Sequence, residues 1–235
     1  MSELTTSAAI KEARRCQGCT GAPCQAGCPL KINIAEFVHY VSKGNFGEAY
    51  DTISKTNNLP AICARVCPAE RQCEAQCVLG KEGKPLAIAA LEGFIADFAH
   101  ENDLTTLAPG ENKRGRVAII GSGPAGLAAA GDLIRQKFAV TIFEAQAEAG
   151  GVLLFGIPEY RLPKDVVRRE ISELQNCGVE IKVEKKAGID FTIDDLFAEG
   201  YDAIFMGVGT ALPRTLDIPG KELSGILTAT YFCAR

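Results

Sequence analysis

Residues 116–126 have the sequence Arg-Val-Ala-Ile-Ile-Gly-Ser-Gly-Pro-Ala-Gly, and they set the expected architecture of the second half of the chain. The four apolar residues 117–120 are typical of a strand that is buried on both faces. The glycines after them match the pattern G-x-G-x-x-G, and an alanine-rich segment continues to about residue 137. Because the pattern stands between a predicted strand and a predicted helix, it indicates the phosphate-binding turn of a dinucleotide fold.

The residues of this turn have different expected roles. Gly121 permits the tight turn, Gly123 lets the backbone approach a pyrophosphate, and Gly126 allows the helix to pack closely on the strand. Pro124 and Ala125 begin the helix, whose N-terminus would face the phosphates. From these residues alone, FAD and NAD are both open as ligands.

Strand and helix patterns alternate through the rest of this half. The predicted strands are 117–120, 140–143, 179–183 and 203–206, and the predicted helices between them are about 124–137, 164–177 and 192–199. This alternation implies an α/β domain with a parallel, doubly wound sheet. Glu144 closes the second strand at the spacing expected of an acid that hydrogen-bonds a ribose 2′-hydroxyl.

Eight of the ten cysteines lie between residues 16 and 77. Their two sets are Cys16-x2-Cys19-x4-Cys24-x3-Cys28-Pro29 and Cys63-x3-Cys67-Pro68-x4-Cys73-x3-Cys77. Apolar residues at helical spacing in 34–50 and 86–100 predict a mostly helical domain around them. The polar segment 100–115 is the best linker candidate, so we expect two domains, at 1–108 and 109–235.

Three chemistries compete for the cysteines. Disulfide bonds are disfavoured, because the sequence has no secretory signal and the cytoplasm is reducing. Zinc prefers paired Cys-x2-Cys knuckles, and one such pair exists here. Two 4Fe–4S clusters fit better, because a cubane cluster takes thiolates from a tight loop and one from a distant residue, and Cys-Pro junctions occur in such runs. Zinc remains the alternative.

Composition and residue inventory exclude other functions. The formal net charge is -4 with no long basic run, so a nucleic-acid partner is not expected. The longest apolar stretch, 117–134, is interrupted by glycine, proline and aspartate, so we predict neither a membrane span nor a signal peptide, and we expect a cytoplasmic protein. Without a Walker motif or a Ser-His-Asp set, kinase and hydrolase chemistry are also excluded.

Three segments together resemble a known family. They are the spacing from Cys16 to Cys28, the sequence Ala-Arg-Val-Cys-Pro at 64–68, and Gly-Ile-Pro-Glu-Tyr-Arg-Leu-Pro-Lys at 156–164. Over essentially its whole length the chain resembles the small (beta) subunit of NADPH-dependent glutamate synthase, and equally the N-terminal part of dihydropyrimidine dehydrogenase. The resemblance implies a helical iron–sulfur domain followed by the N-terminal half of a Rossmann-like FAD-binding domain.

The resemblance also implies two interleaved sets of cluster ligands. One 4Fe–4S cluster would be held by Cys16, Cys19, Cys24 and Cys77. The other would be held by Cys28, Cys67, Cys73 and a carboxylate from the following helix, Glu92. Cys63 would then be a neighbour of the second cluster and not a ligand. A carboxylate ligand adds negative charge, which should lower the reduction potential of that cluster.

For the glycine-rich turn, the resemblance favours FAD over NAD, because Gly150-Gly151 follows Glu144 as in the flavin domain of the family. It places five further residues near the flavin. They are Val66 from the first domain, and Gly151, Val152, Arg161 and Gly209 from the second.

The sequence departs from the family in one respect. Family members continue into a second dinucleotide fold for NADPH, whereas this sequence has no second G-x-G-x-x-G. NADPH or NADH would therefore act through a region absent from this chain, which is either a fragment or a short subunit. The implied function is electron transfer from NAD(P)H through FAD and the clusters to a larger catalytic subunit, of the glutamate synthase large-chain type or another oxidoreductase. The alternative is a non-redox assembly module with structural clusters or zinc and an empty flavin site.

Overall fold

The computed structural model describes residues 4–81, 83–104, 114–210 and 216–233. It divides the chain into two compact units, residues 1–106 and 107–235. The predicted domain boundary at residue 108 falls in the segment 105–113, outside the described residues.

The first unit is helical, as the sequence predicted. Its helices are α1 (Thr6–Ala13), α2 (Pro23–Gly27), α3 (Ile34–Lys43), α4 (Phe46–Ser54), α5 (Pro60–Val66) and α6 (Ile88–Glu101), with short 3-10 turns at Ala69–Arg71, Glu74–Gln76 and Val78–Lys81. The apolar segment 34–50 is divided between α3 and α4. The division lies at Gly44, which adopts a left-handed conformation with φ of 78° and ends α3.

An apolar core formed mainly by α3, α4 and α6 stabilises this unit. Phe37 and Val41 of α3, Ile53 of α4, and Leu91 and Ile95 of α6 are fully buried in it. Burial of each such side chain contributes roughly 1.5–3 kcal/mol. Five cysteines also pack against this core, namely Cys16, Cys24, Cys28, Cys73 and Cys77. The loops that carry them are therefore anchored on a packed helical base.

The second unit is an α/β domain. Its elements are β1 (Arg116–Ile120), α7 (Pro124–Arg135), β2 (Ala139–Phe143), α8 (Val152–Phe155), α9 (Lys164–Asn176), β3 (Glu180–Lys182), α10 (Ile193–Ala198), β4 (Ala203–Met206) and α11 (Ala229–Cys233). The four strands form one parallel sheet in the order β3-β2-β1-β4. Val117 of β1 pairs with Val140 of β2 and with Ala203 of β4.

Helices cover both faces of the sheet, which confirms the predicted doubly wound architecture. On one face, Ala118 and Ile120 of β1 pack with Leu196 of α10. On the other face, Ile119 points to α7, where its Cγ2 lies 3.2 Å from the place that a Cβ of residue 126 would take. The third strand is shorter than the pattern at 179–183 indicated, and it ends before Glu184, which has a φ of 54°.

The carboxyl ends of the neighbouring strands β2, β1 and β4 meet at one edge of the sheet. Gly121, Glu144 and Gly207 are the residues that follow β1, β2 and β4. In open parallel sheets this edge is where ligands bind. Within the residues that the structure describes, no helix has the length and apolar character needed to cross a bilayer.

Candidate cluster sites and dinucleotide site

Four cysteines from separate segments line one cavity in the first unit. They are Cys16 and Cys19 after α1, Cys24 in α2, and Cys77 after the turn Glu74–Gln76. The cavity is open to solvent and is otherwise lined mainly by apolar side chains such as Ile34 and Leu86. The structure thus brings together all four members of the first predicted ligand set.

Local backbone features explain how these cysteines converge. Gly18 and Gly21 have φ values of 60° and 77°, which let the chain turn back between Cys16 and Cys24. Pro23 then begins α2. On the opposite side, the backbone N–H of Leu86 donates to Cys77 Sγ at 3.4 Å. Hydrogen bonds to cluster sulfur ligands are one of the factors that set a cluster's reduction potential.

The thiols of this set influence one another electrostatically. Burial raises the pKa of the Cys24 thiol, and the neighbouring Cys16 and Cys77 raise it further, whereas a backbone hydrogen bond involving Gln25 lowers it. Ionised thiols at this place therefore need a nearby positive charge, which iron would supply. Among the described side chains, no three from His, Cys, Asp or Glu lie close enough together to hold one metal ion.

The members of the second predicted set also lie within electrostatic reach of one another. Burial raises the pKa of Cys73 to about 12, and Glu74, Cys28 and Glu92 raise it as well. Burial likewise raises the pKa of Glu92 to about 8, the hydrogen bond from Asn57 lowers it, and Cys67 raises it. Three thiols and one buried carboxylate are a donor set suited to an iron–sulfur cluster with one oxygen ligand.

Cys63 is placed differently from the other cysteines of the first unit. Its Sγ donates to Asn57 Oδ1 at 3.6 Å. A hydrogen bond with Cys67, burial and the charge of Glu92 all raise the pKa of the Cys63 thiol. Asn57 was not identified from the sequence, because an isolated asparagine between two helical segments carries no motif.

The glycine-rich turn has the geometry that a pyrophosphate site requires. Gly121 has a φ of 101°, and a Cβ at residue 126 would stand 2.0 Å from the carbonyl oxygen of Gly121. Gly123 precedes Pro124 at the start of α7, and a Cβ there would meet nothing within 4 Å. The open side of Gly123 therefore leaves the first turn of α7 accessible to a phosphate group, and the residues present fit a bound dinucleotide.

Glu144, at the end of β2, is tied to the same turn through Ser122. Its Oε2 accepts hydrogen bonds from the Ser122 backbone N–H at 3.0 Å and from the Ser122 hydroxyl, and its Oε1 accepts from Gln146 N–H at 2.8 Å. The Ser122 hydroxyl oxygen in turn accepts from Gly150 N–H at 2.9 Å. A carboxylate oxygen can accept more than one hydrogen bond, so a role of Glu144 at a ribose hydroxyl stays a prediction. Ser122 was missed by the sequence analysis, although its place between two glycines of the turn was a signal.

The loop after Glu144 approaches the turn closely. A Cβ at residue 151 would lie 2.9 Å from the Cα of Gly123, and Gly151 has a φ of 51°. Val152 follows at the start of α8 and is 53% exposed. Gly207 also contacts the turn, since its carbonyl oxygen lies 2.4 Å from where a Cβ of residue 121 would be. The structure therefore brings Gly151 to the turn, and Val152 is the next residue along the chain.

Other predicted flavin contacts lie further along the chain. Arg161 is exposed in the segment between α8 and α9, and its backbone N–H donates to Pro158 O at 2.9 Å. Lys164 fixes this segment, because its Nζ donates to Leu153 O at 2.9 Å and also to Ile157 O. Gly209 has a φ of 68° and open space around it. Val66 is the last residue of α5 in the first unit, and its contact with a flavin stays a prediction.

Two family models divide the chain as the structure does. Residues 1–104 match the model described as dihydropyrimidine dehydrogenase domain II, 4Fe-4S cluster. Residues 115–232 match the model described as pyridine nucleotide-disulphide oxidoreductase.

Curated relatives extend over almost all of the chain. The NAD-dependent dihydropyrimidine dehydrogenase subunit PreT of Salmonella typhimurium is 42% identical over 99% of this chain and 56% of its own length. The glutamate synthase (NADPH) small chain of Escherichia coli K12 is 36% identical over 94% of this chain and 47% of its own length. The chain thus spans about half the length of the curated relatives it matches. A solved structure of Mycobacterium tuberculosis FprA in complex with NADPH aligns with a TM-score of 0.47 and 24% identity, over 52% of this chain and 28% of that one.

Proposed function

The chain belongs to the pyridine nucleotide-disulphide oxidoreductase family and carries a 4Fe–4S domain ahead of its dinucleotide domain, and from this we propose that it is an electron-transfer flavoprotein subunit. It carries electrons from NAD(P)H through FAD and two 4Fe–4S clusters to a larger catalytic subunit. The proposal combines the first-unit thiols with the phosphate-binding turn of the second unit.

One observation supports the proposal most strongly. Cys16, Cys19, Cys24 and Cys77 are separated by up to 61 residues in sequence, yet they line the same cavity. A bound 4Fe–4S cluster, which takes ligands from several segments of a chain, accounts for the convergence of these four thiols. Cys28, Cys67, Cys73 and Glu92 form the second ligand set in this proposal.

The chain's own residues bind and orient the cofactors. The helical core of the first unit holds the thiols in place, and the lining of their cavity is mainly apolar. In the second unit, Gly123 and the N-terminus of α7 bind the pyrophosphate, Glu144 accepts from a ribose hydroxyl, and Val152 and Arg161 line the flavin. When bound, FAD would accept a hydride's electron pair, and the clusters would carry the electrons onward one at a time.

The same proposal extends to the partner subunit, the nicotinamide nucleotide and the compartment. The two relatives described above are by name subunits or chains of larger enzymes. The partner is accordingly a glutamate synthase large-chain-like subunit or another catalytic oxidoreductase subunit. NADPH or NADH would supply the electrons that FAD receives. The reducing cytoplasm suits a set of cysteines that must stay free to ligate iron.

The proposal is tested by light-driven reduction of the flavin in the reconstituted full chain, with EDTA as the electron donor. Electron paramagnetic resonance (EPR) then shows whether electrons reach the clusters. We expect the flavin absorbance to bleach and a reduced-cluster signal to appear, and we expect neither in Gly123→Ala, which should not retain FAD. Clusters that stay oxidised beside a reduced flavin would contradict electron transfer. Clusters without any bound flavin would favour the assembly module instead.

A further inference from the structure

A buried asparagine lies beside the second ligand set and has no role in the function proposed above. Asn57 is 2% exposed and lies between α4 and α5, where its backbone N–H donates to Ile53 O. Its side-chain Nδ2 donates to Glu92 Oε1 at 2.8 Å, over a sequence separation of 35 residues. Glu92 is itself only 8% exposed. The hydrogen bond is therefore well shielded from water.

The other end of the amide fixes its orientation. Asn57 Oδ1 accepts from Leu59 N–H at 3.0 Å and from Cys63 Sγ at 3.6 Å. Because a backbone N–H can only donate, the amide oxygen must face Leu59, and the amide nitrogen must face Glu92. Glu92 Oε1 is therefore held as an acceptor.

The second carboxylate oxygen is in a different position. Asn57 is the only side chain that hydrogen-bonds to Glu92 among the residues that the structure describes, and it does so at Oε1. Oε2 is left without a hydrogen bond from these residues. The carboxylate is also close enough to Cys67 and Cys73 for their charges to interact.

We infer that Asn57 is a positioning residue for the second cluster, which fixes the Glu92 carboxylate through Oε1 and leaves Oε2 to ligate iron. The inference rests on the proposed function, because it requires Glu92 to be a cluster ligand. Hydrogen bonds from outside a ligand set orient the ligands, and their loss typically costs about 10-fold to 100-fold in metal affinity.

The test exchanges donor and acceptor between the two side chains. Asn57→Asp keeps an acceptor for Leu59 N–H but turns a second acceptor toward Glu92. In Glu92→Gln alone, the new amide can take two orientations. Either its N–H group faces the N–H donor of Asn57, or its oxygen faces Asn57 and is lost to iron. The double variant Asn57→Asp/Glu92→Gln restores the hydrogen bond in the opposite direction, because the glutamine nitrogen donates and its oxygen remains for iron. Asn45→Asp, at an exposed site without a capping hydrogen bond, is the matched control for added charge.

The full chain is reconstituted anaerobically, and three quantities are measured: iron per chain, the rate of iron release to a chelator, and the EPR spectrum after reduction. For Asn57→Asp we expect about half of the iron to be released 10-fold or more faster than in the original chain, with a changed EPR signal. The double variant should release iron more slowly than either single variant. Asn45→Asp should behave like the original chain.

The outcomes separate this inference from the proposed function. An original chain that binds no iron or sulfide would contradict both. Two clusters in the original chain, with release rates and spectra unchanged in Asn57→Asp, would overturn the inference alone. If circular dichroism shows that Asn57→Asp does not fold, Glu92→Gln is compared with the double variant, and equal release rates would overturn the inference.

Discussion

The carbonyl oxygen of Gly121 lies 2.0 Å from the point that a Cβ of residue 126 would occupy. No real Cβ can approach a backbone oxygen so closely. The first turn of α7 can therefore pack against the end of β1 only when residue 126 is glycine. The same close contact therefore contributes both to the stability of the second unit and to the shape of the phosphate-binding turn.

We expect Gly126→Ala to destabilise the second unit by about 1–3 kcal/mol or more, because the added methyl group overpacks a rigid backbone contact. Urea unfolding of the full chain, followed by circular dichroism, measures the effect.

Gly123→Ala is the matched control for this change. A Cβ at residue 123 meets nothing within 4 Å, so the variant should lose at most about 1 kcal/mol of folding free energy. It should nevertheless lose bound FAD, since the methyl group occupies the open side of the turn. Equal unfolding curves for the two variants would contradict the account of the turn.

Substitutions of different cysteines in the first unit should differ sharply in how much bound iron they remove. Cys24→Ser removes one of the four thiols that line the cavity, so we expect the chain to lose about four of eight iron atoms. Cys63→Ser keeps a donor for Asn57 Oδ1 and should retain both clusters. Iron analysis and EPR of both variants decide the assignment, and a loss of iron in Cys63→Ser would show that Cys63 is a ligand.

The Ser122 hydroxyl connects Glu144 to Gly150, so its removal should weaken the hydrogen bonding of both residues. Ser122→Ala takes a donor from a buried carboxylate and leaves the buried Gly150 N–H without its acceptor. We expect a loss of about 1–3 kcal/mol in unfolding free energy and weaker FAD binding. Ser172→Ala, an exposed serine on α9, is the control and should be nearly neutral. Unchanged stability in Ser122→Ala would show that this network contributes little.

The hydrogen bonds at the start of α10 predict that the free energy of unfolding depends on pH. The side-chain hydroxyl and the backbone N–H of Thr192 both donate to Asp195, and these hydrogen bonds lower the pKa of Asp195 below its ordinary value of 3.8. A lowered pKa stabilises the fold above the unfolded-state value, and this contribution is lost as the pH falls through the folded-state value. The stability difference between the original chain and Asp195→Asn should therefore be full at about pH 6 and shrink as the pH falls through 3.8 and below.

Asp194→Asn removes the same charge from the first turn of the same helix and serves as the control. Urea midpoints across this pH range measure both variants. A difference for Asp195→Asn that stays constant with pH, or one that Asp194→Asn reproduces in full, would contradict the capping role of Asp195.

Local patterns were sufficient to predict most of the fold. The apolar run before Gly121 and the alternation after it predicted a parallel sheet, because strand and helix periodicity are properties of neighbouring residues. The break of 34–50 at Gly44 was not anticipated, since a left-handed glycine is not visible in the spacing of apolar residues. The strand at 179–183 is also shorter in the structure, since Val179 and Val183 lie outside β3.

The candidate site could be predicted only where it has a motif. Cysteine spacing and the glycine pattern pointed to the clusters and to the turn, whereas the division of the cysteines into two ligand sets came from the family resemblance. Asn57 and Ser122 were missed because their roles arise from contacts with Glu92 and Glu144, which lie 35 and 22 residues away in sequence. Polar partners of this kind are positioned by tertiary packing, so a single sequence gives little sign of them.

The proposed electron transfer requires two iron–sulfur clusters in the first unit. The most direct measurement is the iron, acid-labile sulfide and zinc content of the anaerobically purified full chain. Our account predicts about eight iron and eight sulfide per chain with little zinc. Zinc in stoichiometric amount without sulfide would contradict it.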